Sequence, residues 1–227
     1  HLDFVTANYS SELINYSLNS GNQTFSSGGT IDNRTSYPNQ LVCADYNSDG
    51  KVDVMCGGGL DIRYCQNSAA LSFTAKQGMQ YAGTNHGGCH GDFDNDGDVD
   101  LMEVGFTFMY WYRNESNGEF TPIQLQDNGF SYITTNYGIN IRTADMDGDG
   151  DEDAIYTEND NNKISWIENK GNGLFAYHFA ASVMGPYSLE PIDFDDDGDM
   201  DFVSGSTADD AVYWYENNGS QTFTEHM

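Results

Sequence analysis

The chain has 227 residues, 36 of them Asp or Glu against 8 Lys or Arg, for a formal charge of −28 at neutral pH. That balance excludes nucleic acid and anionic membrane surfaces as partners, and no apolar run is long enough to span a bilayer. An apolar fraction of 38% and a mean hydropathy of −0.59 are thin for one ordinary core, but 14% aromatics and 25 Gly suit a core assembled from small, tightly turned units.

In chain order, HLDFVTAN (residues 1–8) reads as a strand and a second strand follows near Ile14. Then comes DYNSDGKVD from Asp45, followed by VDVMCGGG and IRYCQN. The succession returns as DFDNDGDVD from Asp92 with VDLMEVGF and FMYWYRN, and as DMDGDGDED from Asp145 with EDAIYTEN and ISWIEN. It returns once more as DFDDDGDMD from Asp193 with MDFVSGS and AVYWYEN. Each nine-residue loop has oxygen-bearing side chains at positions 1, 3, 5 and 9 and Gly at position 6 (Gly50, Gly97, Gly150, Gly198). Alternate oxygens of a tight loop converge on one point when a Gly permits the sharp turn, and Ca²⁺ takes six to eight of them. Four calcium sites are therefore expected.

The loops begin 47, 53 and 48 residues apart, so the repeating unit is near fifty residues. A second ladder keeps the same period: Tyr16/Asn19/Phe25, Tyr64/Asn67/Phe73, Trp111/Asn114/Phe120, Trp166/Asn169/Phe175 and Trp214/Asn217/Phe223, with Asn always six before Phe. An EF-hand is excluded. It needs Glu at loop position 12 and flanking helices, whereas only Glu103 fits and the other loops offer Cys56, Tyr156 and Ser204. The flanks are short apolar runs with the β-branched and aromatic bias of strands. The chain is thus expected to be all-β, a β-propeller of about five four-stranded blades, with the acidic loops joining the first two strands of a blade. Trp111, Trp166 and Trp214 are expected as core residues between blades.

The two ends are out of phase. HLDFVTAN matches DMDFVSGS around Asp201, so the first blade should lack its innermost strand and its calcium loop. A single domain over 1–227 is expected, with units near 1–31, 40–80, 88–125, 141–180 and 190–227, as a ring completed by a neighbouring chain or as a fragment of a longer propeller. The unpaired strand edge beside Leu2 to Thr6 is a template for self-association. The one irregular spacing lies near QLQDNGFSYITTNYG, a surface insertion of the kind that often binds something.

The loops followed by DVMCGGG, DLMEVGF and DFVSGS resemble the FG-GAP/VCBS repeats of integrin α-subunit propellers and of many secreted proteins. The resemblance implies calcium held by Asp45, Asn47, Asp49 and Asp53, by Asp92, Asp94, Asp96 and Asp100, by Asp145, Asp147, Asp149 and Asp153, and by Asp193, Asp195, Asp197 and Asp201. It further implies that Lys51, Asp98, Asp151 and Asp199, at position 7, contribute backbone carbonyls.

Four bound Ca²⁺ would bring the charge to about −20, and weak loop sites fit the millimolar calcium outside cells. Four cysteines agree with an oxidising compartment, with Cys56–Cys65 and Cys43–Cys89 the first pairs to test. No secretory leader precedes His1, which is expected to be a mature terminus. Asn8, Asn15, Asn22, Asn33, Asn114 and Asn218 sit in N-x-Ser/Thr sequons. His86, Cys89 and His90 form the densest cluster that could do chemistry. Two functions are carried forward. One is an extracellular recognition or adhesion module that binds glycan or protein. The other is a lyase-type enzyme domain acting on acidic polysaccharide.

Overall fold

The structure is a computed structural model describing residues 3–227 except 23, 34, 36, 39, 59–61, 70, 77–78, 80–86, 106–107 and 126–139. The insertion near QLQDNGFSYITTNYG, His86 and Leu2 lie outside the described residues.

Nineteen strands form five antiparallel sheets, each built from strands consecutive in the chain. The first has three: β1 (Phe4–Asn8), β2 (Leu13–Asn19) and β3 (Phe25–Asp32). The second comprises β4 (Gln40–Ala44), β5 (Asp53–Gly57), β6 (Ile62–Ala69) and β7 (Ser72–Ala75). The third comprises β8 (Gly87–Gly91), β9 (Asp100–Val104), β10 (Met109–Asn114) and β11 (Phe120–Gln124). The fourth comprises β12 (Ile141–Ala144), β13 (Asp153–Glu158), β14 (Lys163–Asn169) and β15 (Phe175–Ser182). The fifth comprises β16 (Pro186–Ile192), β17 (Asp201–Ser206), β18 (Ala211–Asn217) and β19 (Phe223–His226). A short 3₁₀ turn at Asn159–Asn161 is the one helical element among the described residues.

The second strand of each complete sheet is covered on both faces, so its sequence is a nearly continuous apolar run instead of an alternating one. All five residues of β5 and of β9, and all six of β13, are buried. The core is divided into four layers between successive sheets. Ile14 and Ile31 meet Val54 and Cys65; Met55 and Tyr64 meet Leu101 and Tyr112; Trp111 and Met102 meet Tyr156, Ile167 and Phe175; Trp166 and Ile155 meet Leu189, Phe202 and Tyr215. Trp111 and Trp166 are core residues between sheets, as expected, whereas Trp214 is only partly buried, on the far face of the last sheet.

The first strands follow one another inside the array, β4 beside β8, β8 beside β12 and β12 beside β16. Residues of β4, β8 and the start of β12 line a polar cavity of about 480 Å³, with Gln40, His90, Asn140 and Arg142 on its wall. This order leaves every acidic loop at the turn between a first and a second strand.

The expected disulfides are not formed by any of the four cysteines. Cys56 faces Arg63 across the β5–β6 ladder and Cys65 faces Val54, so the two are diagonal neighbours, too far apart for a disulfide's geometry. Cys43 is exposed on β4 while Cys89 is buried on β8. Asn114 of the sequon set is 1% exposed, which closes it to glycosylation.

Candidate metal centre

Each loop first organises itself through its own carboxylates. The position 1 aspartate accepts from the backbone N–H groups of positions 5 and 6: Asp45 from Asp49 and Gly50 (3.1 and 2.7 Å), Asp92 from Asp96 and Gly97 (3.0 and 2.9 Å), and Asp193 from Asp197 and Gly198 (both 3.1 Å). Asp145 does the same for Asp149 and Gly150. The position 6 glycines have φ of 83° to 97°, and a Cβ there would meet nothing within 4 Å. The requirement at that position is conformational, since only Gly adopts it without strain.

Three loops bring carboxylates together. One oxygen each from Asp92, Asp94 and Asp96 lies within 4.8 Å of the others, and the same holds for Asp145, Asp147 and Asp153 and for Asp193, Asp195 and Asp197. In the first loop Asn47 replaces a carboxylate at position 3, and Lys51 lies 2.9 Å from Asp49 and holds its carboxyl low. Burial pushes Asp94 and Asp147 up, reinforced by the charges of Asp96 and Asp149. An all-oxygen donor set whose members repel one another fits a hard divalent cation, which would relieve that repulsion.

Position 9 has a second task that spacing did not reveal. Asp53, Asp100, Asp153 and Asp201 are 0–1% exposed. One oxygen of each accepts from the backbone N–H of the ladder asparagine: Asn67, Asn114, Asn169 and Asn217, at 2.7–2.8 Å. The other oxygen takes Tyr64 Oη–H (2.7 Å), Trp111 Nε1–H (2.9 Å), Met146 N–H (2.8 Å) or Trp214 Nε1–H (3.0 Å). Burial pushes Asp100 and Asp153 up to about 7. Asp3 holds Asn19 N–H in the same way at 2.8 Å, so the first sheet keeps this staple.

The asparagine ladder ties sheets together. Asn114 Nδ2 donates to Tyr46 O (2.7 Å), Asn169 Nδ2 to Phe93 O (3.0 Å) and Asn217 Nδ2 to Met146 O (3.4 Å). Each acceptor is position 2 of the acidic loop one sheet earlier. The loops also touch directly, Ser48 Oγ donating to Asp98 (3.3 Å) and Asn95 Nδ2 to Asp151 (2.6 Å). The sequence displayed the invariant spacing of these asparagines but not their partners, which lie 68 to 76 residues away.

A further pair escaped the sequence. His178 stacks on Trp166 with centroids 4.6 Å apart and bonds Glu168 at 2.6 Å; His226 stacks on Trp214 at 4.5 Å and bonds Glu216 at 2.7 Å. The shared strand register, Trp166 opposite His178 and Trp214 opposite His226, is the signal that could have found it. The cluster proposed for chemistry does not assemble. His90 is exposed, and burial pushes the Cys89 thiol up to about 12, too high for a thiolate nucleophile or ligand at neutral pH.

Repeated four-stranded sheets, each with an acidic loop interlocked with its neighbour, define a repeat protein of propeller-like blades. Residues 92–156 and 145–204 match the model of the FG-GAP-like repeat, and the chain belongs to that family. Among solved structures it is similar to a lectin of Agrocybe aegerita, described for specific recognition of non-reducing terminal N-acetylglucosamine, with 19% identity and a TM-score of 0.68 over 100% of this chain. The match spans 65% of the lectin chain. It is also similar to the Tc holotoxin pore of Photorhabdus luminescens, at 15% identity and a TM-score of 0.41, over 94% of this chain and 11% of that one. No curated protein matches the sequence.

Proposed function

We propose that this chain is an extracellular β-propeller module that binds calcium in its four acidic loops and recognises glycan or protein without catalysing a reaction. The observation that carries the reading is the interlocking of the loops. Each lies at the turn between a first and a second strand, and three of them accept the asparagine of the following sheet. A cation in a loop would stiffen the junction of two blades and fix the surface around it. Calcium is assigned to positions 1, 3, 5 and 9 of each loop with the position 7 carbonyl, and calcium of the extracellular range supports that compartment. Similarity in fold to a sugar-binding lectin supports glycan as the ligand class.

Ring closure belongs to the same proposal. Position 2 is 0–1% exposed in Tyr46, Phe93 and Met146, whereas Phe194 of the last loop is 56% exposed. Phe4 and Phe25 are exposed on the first sheet, at 42% and 51%. These two faces are where a further blade or a neighbouring chain would dock. The test of function is a panel of immobilised glycans probed with the calcium-loaded protein, beside an absorbance assay for unsaturated sugar products. Glycan binding with no such product supports the reading; product formation overturns it in favour of an enzyme.

A further inference from the structure

Adjacent acidic loops meet at three junctions, and the third differs from the first two. At the first, Ser48 at loop position 4 donates to Asp98 at position 7 of the next loop (3.3 Å); at the second, Asn95 donates to Asp151 (2.6 Å). At the third, the corresponding residues are Gly148 and Asp199, so the side chain that would bridge them is missing. A cavity of about 140 Å³ opens there, lined by Asp145, Asp147, Asp199, Asn217, Gly219 and Gln221 among others.

Its chemistry is one-sided. Three carboxylates line it, and Asn217, 2% exposed, has its Nδ2 engaged by Met146 O and Met200 O. The Oδ1 of Asn217 has no partner among the described residues, whereas the equivalent atoms of Asn114 and Asn169 accept from Gly118 N–H (3.3 Å) and Gly171 N–H (3.0 Å). A buried acceptor left without a donor costs about 1–3 kcal/mol, so this junction favours an incoming group that donates. Carboxylates on the wall disfavour an anion. The volume is below the roughly 300–1,000 Å³ of a pocket that encloses a whole small molecule, but it suits one edge of a sugar ring.

We propose that the gap at Gly148 is a subsite for a neutral saccharide, whose hydroxyls donate to Asp199, Asp147 and Asn217 Oδ1. The proposal rests on the recognition function above and narrows it to neutral terminal sugars, excluding acidic glycans.

The testing variant is Gly148→Asn. Gly148 has φ of 76°, a Cβ there meets nothing within 4 Å, and Asn95 occupies the same loop position at φ of 60°. Asn tolerates that conformation, so the substituted chain should fold, bind its calcium and bridge to Asp199 as Asn95 does to Asp151. Calorimetric titration of the wild type in millimolar calcium, with the best neutral sugar from the panel and with its sialylated form, should show binding of the neutral sugar only. Gly148→Asn should lose one site from the stoichiometry, or at least tenfold in affinity, with melting temperature and calcium content kept. Asp199→Asn, which keeps the volume and removes the charge, should weaken binding less. If the wild type binds neutral sugar and Gly148→Asn binds it equally, the subsite is overturned while the recognition function stands. If the wild type binds only acidic glycans, the subsite is likewise overturned. If it binds no glycan, both fall. Loss of calcium together with loss of sugar in Gly148→Asn would assign the effect to the loop itself and overturn the subsite.

Discussion

Truncation of Asn169 to Ala tests how the sheets are joined. Asn169 is fully buried, and its Nδ2 donates to Phe93 O in the preceding sheet's loop (3.0 Å) and to Glu152 O (3.2 Å), while Oδ1 accepts Gly171 N–H (3.0 Å). Phe93 is 0% exposed, so water cannot replace the lost donor at its carbonyl. One orphaned buried carbonyl at about 1–3 kcal/mol and two lost bonds near about 1 kcal/mol each give a loss of roughly 3–5 kcal/mol. Asn67→Ala is the matched control. Among the described residues its Nδ2 donates only to Val52 O (3.2 Å), within its own sheet, and a loss of about 1 kcal/mol is expected. Urea unfolding of both variants in saturating calcium, read as the shift in midpoint at constant slope, measures the difference. Asn169→Ala should also weaken calcium binding in the second loop, which contains Phe93, more than in the third. Equal losses of stability from the two variants would refute the inter-sheet role of the ladder.

Calcium analysis after dialysis should give four ions per chain, and two or fewer would defeat the loop assignment. With dissociation constants of ~0.1–1 mM and ~1 mM calcium, four sites supply about 2–6 kcal/mol, so excess chelator should lower the melting temperature by on the order of 5–20 °C. Asp147→Ala should remove one ion and leave the other three loops loaded; uniform loss across the loops would deny the sheets their independence. Glu103 is 2% exposed, and burial pushes its carboxyl up to about 7 despite the Tyr112 hydroxyl at 2.9 Å. Its folded value exceeds its unfolded one, so the stability it carries is full below about pH 4.5 and falls by about 3 kcal/mol as the pH rises through about 7. In saturating calcium, Glu103→Gln should flatten that decline relative to the wild type, and parallel pH profiles of the two would remove Glu103 as its source.

The sequence by itself determined the strand-rich class, the period near fifty residues and the four acidic loops, because these are local properties. Ligand spacing in a loop is set by the backbone between neighbouring residues, and a strand buried on both faces announces itself as an apolar run such as DAIYTE or DLMEV. It also determined that the first unit would be short, since HLDFVTAN aligns with the second strand of the later units, and β1 to β3 form the one three-stranded sheet. The cysteines show where such reading stops. Cys56 and Cys65 were placed on adjacent strands, but the register sets Cys65 against Val54, and one diagonal step separates a disulfide from two buried thiols. Only the tertiary structure decided what joins one sheet to the next. The donor on Asn169 and the carbonyl of Phe93 are 76 residues apart in the chain, as distant as the gap at Gly148 is from the residues that fill its counterparts. Such contacts depend on how whole sheets stack, and no local pattern of residues encodes that stacking.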